Sequence, residues 1–209
     1  MPTRRRLVTM SGPALLALSG AGNAVASPVA PATDSRESDR TYFAALSAAL
    51  NAAGEAKPTL VIDRDRLAQN LATMQAALPA DLAFRLVVKS LPSPDLLAFI
   101  MRGSGSRRLM EFHQPFLSDT AHRFPDTDIL LGKPLPVGAA ARFYDSRRRG
   151  RPHAVVHWLI DSAERLAQYS AYAAQTGRKL DVALEIDVGF HRGGFATPAE
   201  AAAALTAIK

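Results

Sequence analysis

The feature that most restricts the fold of this chain is a regular alternation of short apolar runs with helical segments. Each of five runs is followed by sequence with helical periodicity: Phe84–Lys89, Arg107–Phe112, Asp128–Gly132, Ala154–Ile160 and Asp181–Gly189. Near-continuous apolar strands that alternate with helices indicate a parallel sheet covered on both faces. The spacing of roughly 20 to 27 residues from strand to strand fits either a β/α barrel or an open doubly wound sheet.

Two further elements are predicted upstream of these runs. The stretch "AALSAALNAAGEA" reads as a weak helix that ends near Gly54. Thr59–Ile62 is apolar enough for a strand, and Asp63 is a typical cap for the helix that follows. That helix places four apolar residues on one face, namely Leu67, Leu71, Met74 and Leu78.

Composition excludes several classes of function. The chain has no cysteine, so disulfides, thiolate nucleophiles and thiolate metal sites are absent. The net charge is +6, but half of it comes from three arginines in residues 1–26, and the remainder does not indicate a nucleic-acid-binding protein. The basic run Arg147–Arg151 reads as a solvated helix end, with a phosphate-binding patch as the alternative. No G-x-G-x-x-G motif follows a strand, which disfavours dinucleotide binding.

The first 26 residues have the three parts of an export signal. Arg4–Arg6 precede a short apolar stretch, and Ala24–Ala26 offer an A-x-A cleavage site. Arg4 and Arg5, with the apolar Leu7 two residues after the pair, resemble a twin-arginine export signal, and an ordinary secretory signal is the alternative. We therefore expect an exported protein of the bacterial periplasm without a stable membrane span. Residues 27–41 read as a flexible leader and residues 42–209 as the folded domain.

Functional side chains in parallel β/α folds lie at the C-terminal ends of strands. The polar residues at the predicted strand ends are Lys89, Glu111, Lys133, Asp161, Glu185, Asp187, His191 and Arg192. Lys89 ends an uninterrupted apolar strand, so we expect its stem to be packed and its amine to face the edge of the sheet. Desolvation disfavours a charged amine, and the neutral amine is the form that makes a Schiff base. The alternative is a lysine that extends from the strand end into solvent.

Arg192 lies in the sequence "GFHRGG", where glycines on both sides allow a sharp turn and a close approach to a ligand. A guanidinium at such a position suits an anionic or phenolate oxygen, and a surface turn is the alternative. The other histidines show no metal-ligand spacing with acids, so we expect no metal site: His113, His122, His153 and His157.

Three stretches resemble the N-terminal domain of alanine racemase and its relatives, which include D-threonine aldolase and D-serine dehydratase. "PTLVIDRDRLAQNLATM" at 58–74 is similar to the family's opening segment, and "FRLVVKS" at 84–90 is similar to its first barrel strand. "ALEIDVGFHRGGF" at 183–195 is similar to the strand whose arginine lies beside the coenzyme. The resemblance implies a (β/α)8 barrel, of which about five of eight strands are present.

The resemblance also implies a pyridoxal 5'-phosphate enzyme that acts on amino acids, most of them of D configuration. Lys89 would then form the Schiff base with the coenzyme, and Arg192 would bind its ring oxygen. We expect His191, Asp187 and Glu185 to belong to the same coenzyme site, with Asp187 and Glu185 positioning Arg192.

Departures from the family pattern leave the reaction open among racemisation, aldol cleavage and dehydration. The aldolase-like branch writes its lysine strand "RPHxKTHK", where this chain has Val87 and then Leu91 and Pro92. The racemase branch has a tyrosine at the position of Ser93, whereas Glu185 fits the aldolase-like branch.

The family's later strands and its C-terminal β domain, which holds the zinc ligands of the aldolase-like branch, have no counterpart in this sequence. We therefore expect open sheet edges that favour aggregation or a homodimer. The alternatives to an enzyme are an exported, non-catalytic coenzyme carrier and an inactive partial barrel.

Overall fold

The computed structural model describes residues 33–90, 93–146 and 154–208. The export signal and the basic run Arg147–Arg151 lie outside these ranges. The chain divides into two compact units, Met1–Leu60 and Val61–Lys209. No helix in the described ranges is both long and apolar enough to cross a membrane.

The described part of the first unit holds one helix, α1 (Thr33–Ala52). A turn follows it at Gly54, whose φ of +73° belongs to the left-handed region that glycine adopts readily. The helix therefore ends where the sequence indicates. It begins earlier than expected, because residues 33–41 of the predicted flexible leader are already helical.

The second unit is built on a five-stranded parallel sheet, and each strand falls within one of the five predicted runs. The strands are β1 (Leu86–Val87), β2 (Arg108–Glu111), β3 (Asp128–Leu131), β4 (Val155–Ile160) and β5 (Asp181–Leu184). They pair in chain order, β1-β2-β3-β4-β5, without a reversal. A doubly wound sheet reverses its strand order at a switch point, whereas a β/α barrel does not. The fold is therefore part of a barrel whose sheet is not closed.

Helices connect successive strands, as the right-handed crossover of parallel strands requires. The helices between strands are α3 (Pro94–Ser104), α4 (Gln114–Arg123), α5 (Val137–Asp145) and α6 (Ala163–Thr176), while α2 (Arg64–Ala77) precedes β1 and α7 (Pro198–Ala207) follows β5. Ser162 caps α6, since its hydroxyl accepts a hydrogen bond from the Arg165 amide at 3.1 Å. Gly177 ends that helix with a left-handed φ of 64°.

The strand predicted at Thr59–Ile62 is wrong. These residues form neither strand nor helix, and Leu60 is 73% exposed. A strand needs a neighbour to pair with, and apolar sequence alone does not supply one. The predicted helix start after this segment is confirmed. The Asp63 carboxylate accepts hydrogen bonds from the amides of Asp65 and Arg66, at 3.0 and 2.9 Å.

Among the described residues, helices cover one face of the sheet and leave the other face open, which corrects the expected cover on both faces. Residues in register across four strands are all buried in the core: Leu86, Leu109, Ile129 and Val156. The next row in register is exposed or half-buried: Val87, Met110, Leu130 and His157. Successive side chains of a strand point to opposite faces. In a closed barrel the open face would line the interior.

The core of the helix-covered face centres on Trp158, which has no exposed surface. Its ring contacts Phe143 and Tyr169 at centroid distances of 5.8 and 5.7 Å. Its indole N–H donates to the Tyr144 hydroxyl at 3.0 Å, so the polar atom of the buried ring is satisfied. This packing joins β4 to α5 and α6.

A charged cluster lies on the open face at the N-terminal edge of the sheet. Arg85 Nη1 donates to Asp128 Oδ1 at 2.8 Å and to the carbonyls of Leu109 and Asp128, both at 2.9 Å. His157 Nε2 lies 3.4 Å from the same carboxylate oxygen. Partial burial acts to raise the pKa of Asp128, but the hydrogen bond and charge of Arg85 outweigh it and lower that pKa. The cluster therefore ties β1, β2 and β3 together.

Candidate functional site

Lys89 and the segment Glu185–Arg192 lie at the same edge of the sheet. Lys89 follows β1 by two residues, and the segment follows β5 directly. Because all five strands are parallel, their C-terminal ends meet at one edge. The structure thus brings the predicted amine and the predicted guanidinium to one edge, from the two outermost strands of the sheet.

Lys89 lies on the open face, because the alternation of buried and exposed side chains in β1 continues beyond the end of the strand. Leu86 and Val88 are buried, whereas Val87 and Lys89 are exposed. The expected packing of the lysine stem is not found, because no helix covers this face in the described ranges. Its ammonium instead lies 4.8 Å from the centre of the Phe112 ring, within the range of a cation–π contact.

Phe112 is a site residue that the strand-end reasoning did not single out. Glu111 pairs with Leu131, so the next residues in register are Phe112 and Gly132. A Cβ added to Gly132 would overlap the Phe112 ring, which shows that the ring lies directly over this glycine. An aromatic residue in register with a glycine on the neighbouring strand is a signal that the sequence contains.

The segment after β5 folds back on itself through strand-like hydrogen bonds. The Phe195 amide donates to the Glu185 carbonyl at 2.8 Å, and the Asp187 amide donates to the Phe195 carbonyl at 3.0 Å. Gly194, with a φ of +98°, lies where a Cβ would come 2.8 Å from the Glu185 carbonyl oxygen and 2.9 Å from the Asp187 amide nitrogen. Only glycine fits this position, so the predicted sharp turn is confirmed, and the close approach that the structure shows is to the backbone of Glu185 and Asp187.

Arg192 is exposed in this turn, with its guanidinium 5.6 Å from the centre of the Phe190 ring. Within the described ranges no acidic side chain pairs with Arg192 or with Lys89. Both cations are therefore available to an anionic or carbonyl group at this edge.

Comparison with known proteins gives one match. The family described as alanine racemase, N-terminal domain, matches residues 62–209. The chain belongs to this family. The match extends over nearly the whole of the second compact unit, which carries the five-stranded sheet. No curated protein and no solved structure matches the chain.

Membership of the alanine racemase N-terminal domain family agrees with the partial barrel and with the order of the resembling segments. Domains of this family typically bind pyridoxal phosphate. The exposed amine of Lys89, beside the Phe112 ring, and the exposed guanidinium of Arg192, beside the Phe190 ring, suit the groups of such a coenzyme, which carries an aldehyde, an anionic ring oxygen and a flat ring. The site residues of this chain therefore fit the coenzyme of the family.

Asp187 contacts His191 and not the predicted Arg192. One oxygen, Oδ1, accepts from the amides of Gly189 and His191 at 2.9 and 3.0 Å. The other, Oδ2, lies 2.9 Å from His191 Nδ1. The backbone hydrogen bonds from Gly189 and His191 lower the pKa of Asp187. The carboxylate thus positions His191, because the turn brings its own amides and imidazole to Asp187.

Glu185 supports the turn mainly through its backbone. Its amide donates to the Ile160 carbonyl at 2.8 Å, which extends the β4–β5 pairing by one residue. Its carboxylate faces Gly193, where an added Cβ would lie 3.8 Å from Oε2. No contact between Glu185 and Arg192 is found in the described ranges.

The remaining strand-end residues have structural contacts or lie in solvent. Glu111 is fully buried on the helix-covered face, where the Thr120 hydroxyl donates to its Oε1 at 2.6 Å. Asp161 pairs with Arg165 at 3.4 Å, and Lys133 is exposed. Within residues 33–90, 93–146 and 154–208, no group of three histidine or acidic side chains is placed to hold a metal ion.

Proposed function

We propose that this chain carries the coenzyme-attachment part of a pyridoxal-phosphate enzyme that acts on amino acids, those of D configuration foremost. Lys89 would be the attachment residue, and Arg192 would bind the anionic ring oxygen. The observation that supports this most is that two exposed cations without acidic partners in the described ranges lie at the C-terminal edge of the sheet. Family membership supplies the coenzyme class.

Each residue at this edge has a task that follows from its contacts. Lys89 offers an accessible primary amine, and Phe112 offers an apolar aromatic surface beside that amine. Arg192 offers a guanidinium that donates to an anionic oxygen. Gly193 and Gly194 let the backbone of the turn lie close to β5. When bound, the coenzyme supplies an aldehyde for the substrate's amine and a conjugated ring that withdraws electrons from Cα.

The three candidate reactions are racemisation, aldol cleavage and dehydration. Ser93, at the position of the racemase tyrosine, caps α3 by accepting a hydrogen bond from the Leu96 amide at 3.4 Å. A capping hydroxyl is a poor substitute for a catalytic phenol, so we favour the aldolase or dehydratase reaction. Assays with D-threonine, D-serine and alanine distinguish the three.

The attachment test uses the purified chain incubated with pyridoxal phosphate and then reduced with borohydride. Mass spectrometry of the digested protein should find the label on Lys89, and Lys89→Ala should lose it together with the absorbance band of the bound coenzyme. Lys133→Ala is the matched control, because Lys133 is an exposed lysine two residues after β3, as Lys89 is two residues after β1. Equal labelling of both lysines, or none at Lys89, contradicts the proposal.

Arg192→Ala should weaken coenzyme binding by roughly 10-fold to 100-fold, the effect of losing a hydrogen bond to a charged group. Arg178→Ala is the control, since this arginine also lies over an aromatic ring, 5.0 Å from that of Tyr144, but follows α6 instead of a strand. Equal losses from both substitutions would contradict the assignment of Arg192.

A non-catalytic carrier of the same coenzyme is the second candidate. The observation that favours it is the open sheet, whose β1 and β5 edges have no further neighbour in the described ranges. A carrier should show the Lys89 label without turnover of any of the three amino acids. The open edges also favour a homodimer, which light scattering after gel filtration tests directly.

Export to the bacterial periplasm is proposed from residues 1–26 alone. If the twin-arginine route carries the protein, replacing Arg4 and Arg5 by lysine should retain it in the cytoplasm. If an ordinary secretory signal acts, the same substitution should leave export unchanged. Cell fractionation with an antibody to the folded domain distinguishes the two.

A further inference from the structure

The turn after β5 holds a histidine in a fixed orientation beside a carboxylate. His191 has a φ of +50°, the left-handed region that a side chain other than glycine seldom occupies. Its imidazole is 85% exposed, whereas the Asp187 side chain is 12% exposed. The turn therefore presents the ring to solvent and keeps its carboxylate partner inside.

Two separate sets of bonds hold this arrangement. Asp187 Oδ1 accepts the two backbone amides of the turn, and Oδ2 accepts the ring nitrogen Nδ1 of His191. An ionised carboxylate only accepts hydrogen bonds, so Nδ1 must carry the hydrogen. The lone pair of the neutral imidazole is then on Nε2, the nitrogen that faces away from Asp187. A carboxylate that fixes a histidine tautomer in this way leaves the other ring nitrogen, Nε2, ready to accept a proton.

His191 and Asp187, called the dyad below, lie at the C-terminal edge of the sheet, where Lys89 and Arg192 form the proposed coenzyme site. His191 precedes Arg192 directly, and the turn lies against the ends of β4 and β5. An added Cβ at Gly193 would lie 3.8 Å from Glu185 Oε2 and 4.0 Å from Asp161 Oδ2. Asp187 is therefore the carboxylate that contacts the imidazole, Arg192 is the next residue along the chain, and the Glu185 and Asp161 carboxylates lie beside Gly193 at the strand ends.

We propose that His191, oriented by Asp187, accepts the proton of the substrate's ammonium group at this edge. An amino acid arrives at neutral pH with its amine protonated, and only the neutral amine acts as a nucleophile. In the transfer, the N–H bond of the ammonium breaks and its electron pair stays on the substrate nitrogen. A new N–H bond forms at Nε2, and the resulting imidazolium has the Asp187 carboxylate as its counter-ion. This role rests on the proposed function, since it needs an amino-acid substrate.

The tautomer test is independent of coenzyme and activity. In ¹⁵N NMR spectra of the chain, the two ring nitrogens of His191 should show the Nδ1–H form. Asp187→Asn keeps Oδ1 for the two backbone amides but places an amide N–H₂ where Oδ2 accepted the ring, so it should convert His191 to the Nε2–H form. A wild-type protein already in the Nε2–H form, or an unchanged tautomer in Asp187→Asn, overturns the dyad.

The functional test follows amine exchange after coenzyme attachment, with D-serine as the probe in stopped-flow absorbance. His191→Gln and Asp187→Asn should retain the borohydride label on Lys89 but exchange at least about 100-fold more slowly, the lower range for loss of a general base. Added imidazole should restore part of the rate in His191→Gln. Exchange at the wild-type rate in a labelled His191→Gln protein overturns this inference alone. Absence of the label from the wild-type protein overturns the proposed function and this inference with it.

Discussion

Replacing Glu111 by glutamine should remove a pH dependence that this side chain imposes on the folded state. Glu111 is the last residue of β2 and is fully buried between the sheet and α4. The Thr120 hydroxyl donates to Oε1 at 2.6 Å, whereas Oε2 is buried without a partner in the described part of the chain. Burial raises the pKa of this carboxyl above its ordinary value of 4.5, and the hydrogen bond from Thr120 only partly opposes that effect.

The sign of the effect follows from which state holds the proton. Above pH 4.5 the unfolded chain releases the Glu111 proton, while the folded chain retains it up to its raised pKa. The free energy of unfolding therefore falls as the pH rises through this window. For one proton the slope reaches about 1.4 kcal/mol per pH unit, and the loss stops once the folded-state carboxyl also ionises. Glutamine has the same shape and still accepts from Thr120, but it does not titrate.

Urea denaturation measured from pH 4 to pH 8 in both proteins tests this expectation. The difference in unfolding free energy, Glu111→Gln minus wild type, should increase with pH at up to about 1.4 kcal/mol per unit and then level off. Glu164→Gln is the control for the loss of one carboxylate at an exposed position. Parallel curves for the wild type and Glu111→Gln would refute the reasoning, because they would mean that the folded state does not hold this proton.

Three further predictions test the fold. Gly194→Ala should lower the free energy of unfolding by about 2–5 kcal/mol, because the added Cβ overlaps backbone atoms at a position with a positive φ. Gly189→Ala should lower it by only about 1–2 kcal/mol, because nothing lies within 4 Å of its added Cβ. Equal losses in urea denaturation would contradict the overlap at Gly194. Tyr144→Phe should cost about 1–3 kcal/mol by leaving the buried Trp158 N–H without its acceptor, and an unchanged urea midpoint would argue against that bond. Arg85→Ala should lower stability by about 1–2 kcal/mol, reduced by partial exposure, without changing the borohydride label, and a lost label would contradict its structural role.

The strands and helices of the second unit were predictable because their signals are local. Apolar runs, helix caps and a closing glycine act over a few residues, as at Ser162 and Gly177. Thr59–Ile62 has the same local pattern, but a strand also depends on a pairing partner that local sequence does not reveal. Whether helices cover one or both faces of the sheet depends on the strand order, which is also a non-local property. The spacing between strands fits both a barrel and a doubly wound sheet, so it did not decide that order.

A residue at the end of a strand lies at a known edge of the sheet. The alternation of buried and exposed side chains along the strand then shows which face of the sheet the residue lies on. Glu111 and Lys89 are both charged residues at strand ends. Counting from buried Leu109 places Glu111 on the helix-covered face, and counting from buried Val88 places Lys89 on the open face. The alternation was readable in the sequence, but the role of Asp187 was not. It depends on a left-handed residue that turns two amides and an imidazole towards one carboxylate.

The two edges of the sheet explain why the same residue type has two tasks in this chain. At the N-terminal edge, Arg85 makes three hydrogen bonds to β2 and β3, so its charge is used in holding strands together. At the C-terminal edge, Arg192 is exposed in a turn that requires glycine at position 194, with no acidic partner in the described ranges. A charge already neutralised by the fold cannot bind a ligand strongly, whereas an unpaired one held by a rigid turn can. The chemistry of this partial barrel is therefore expected at the edge where the fold leaves its cations unpaired.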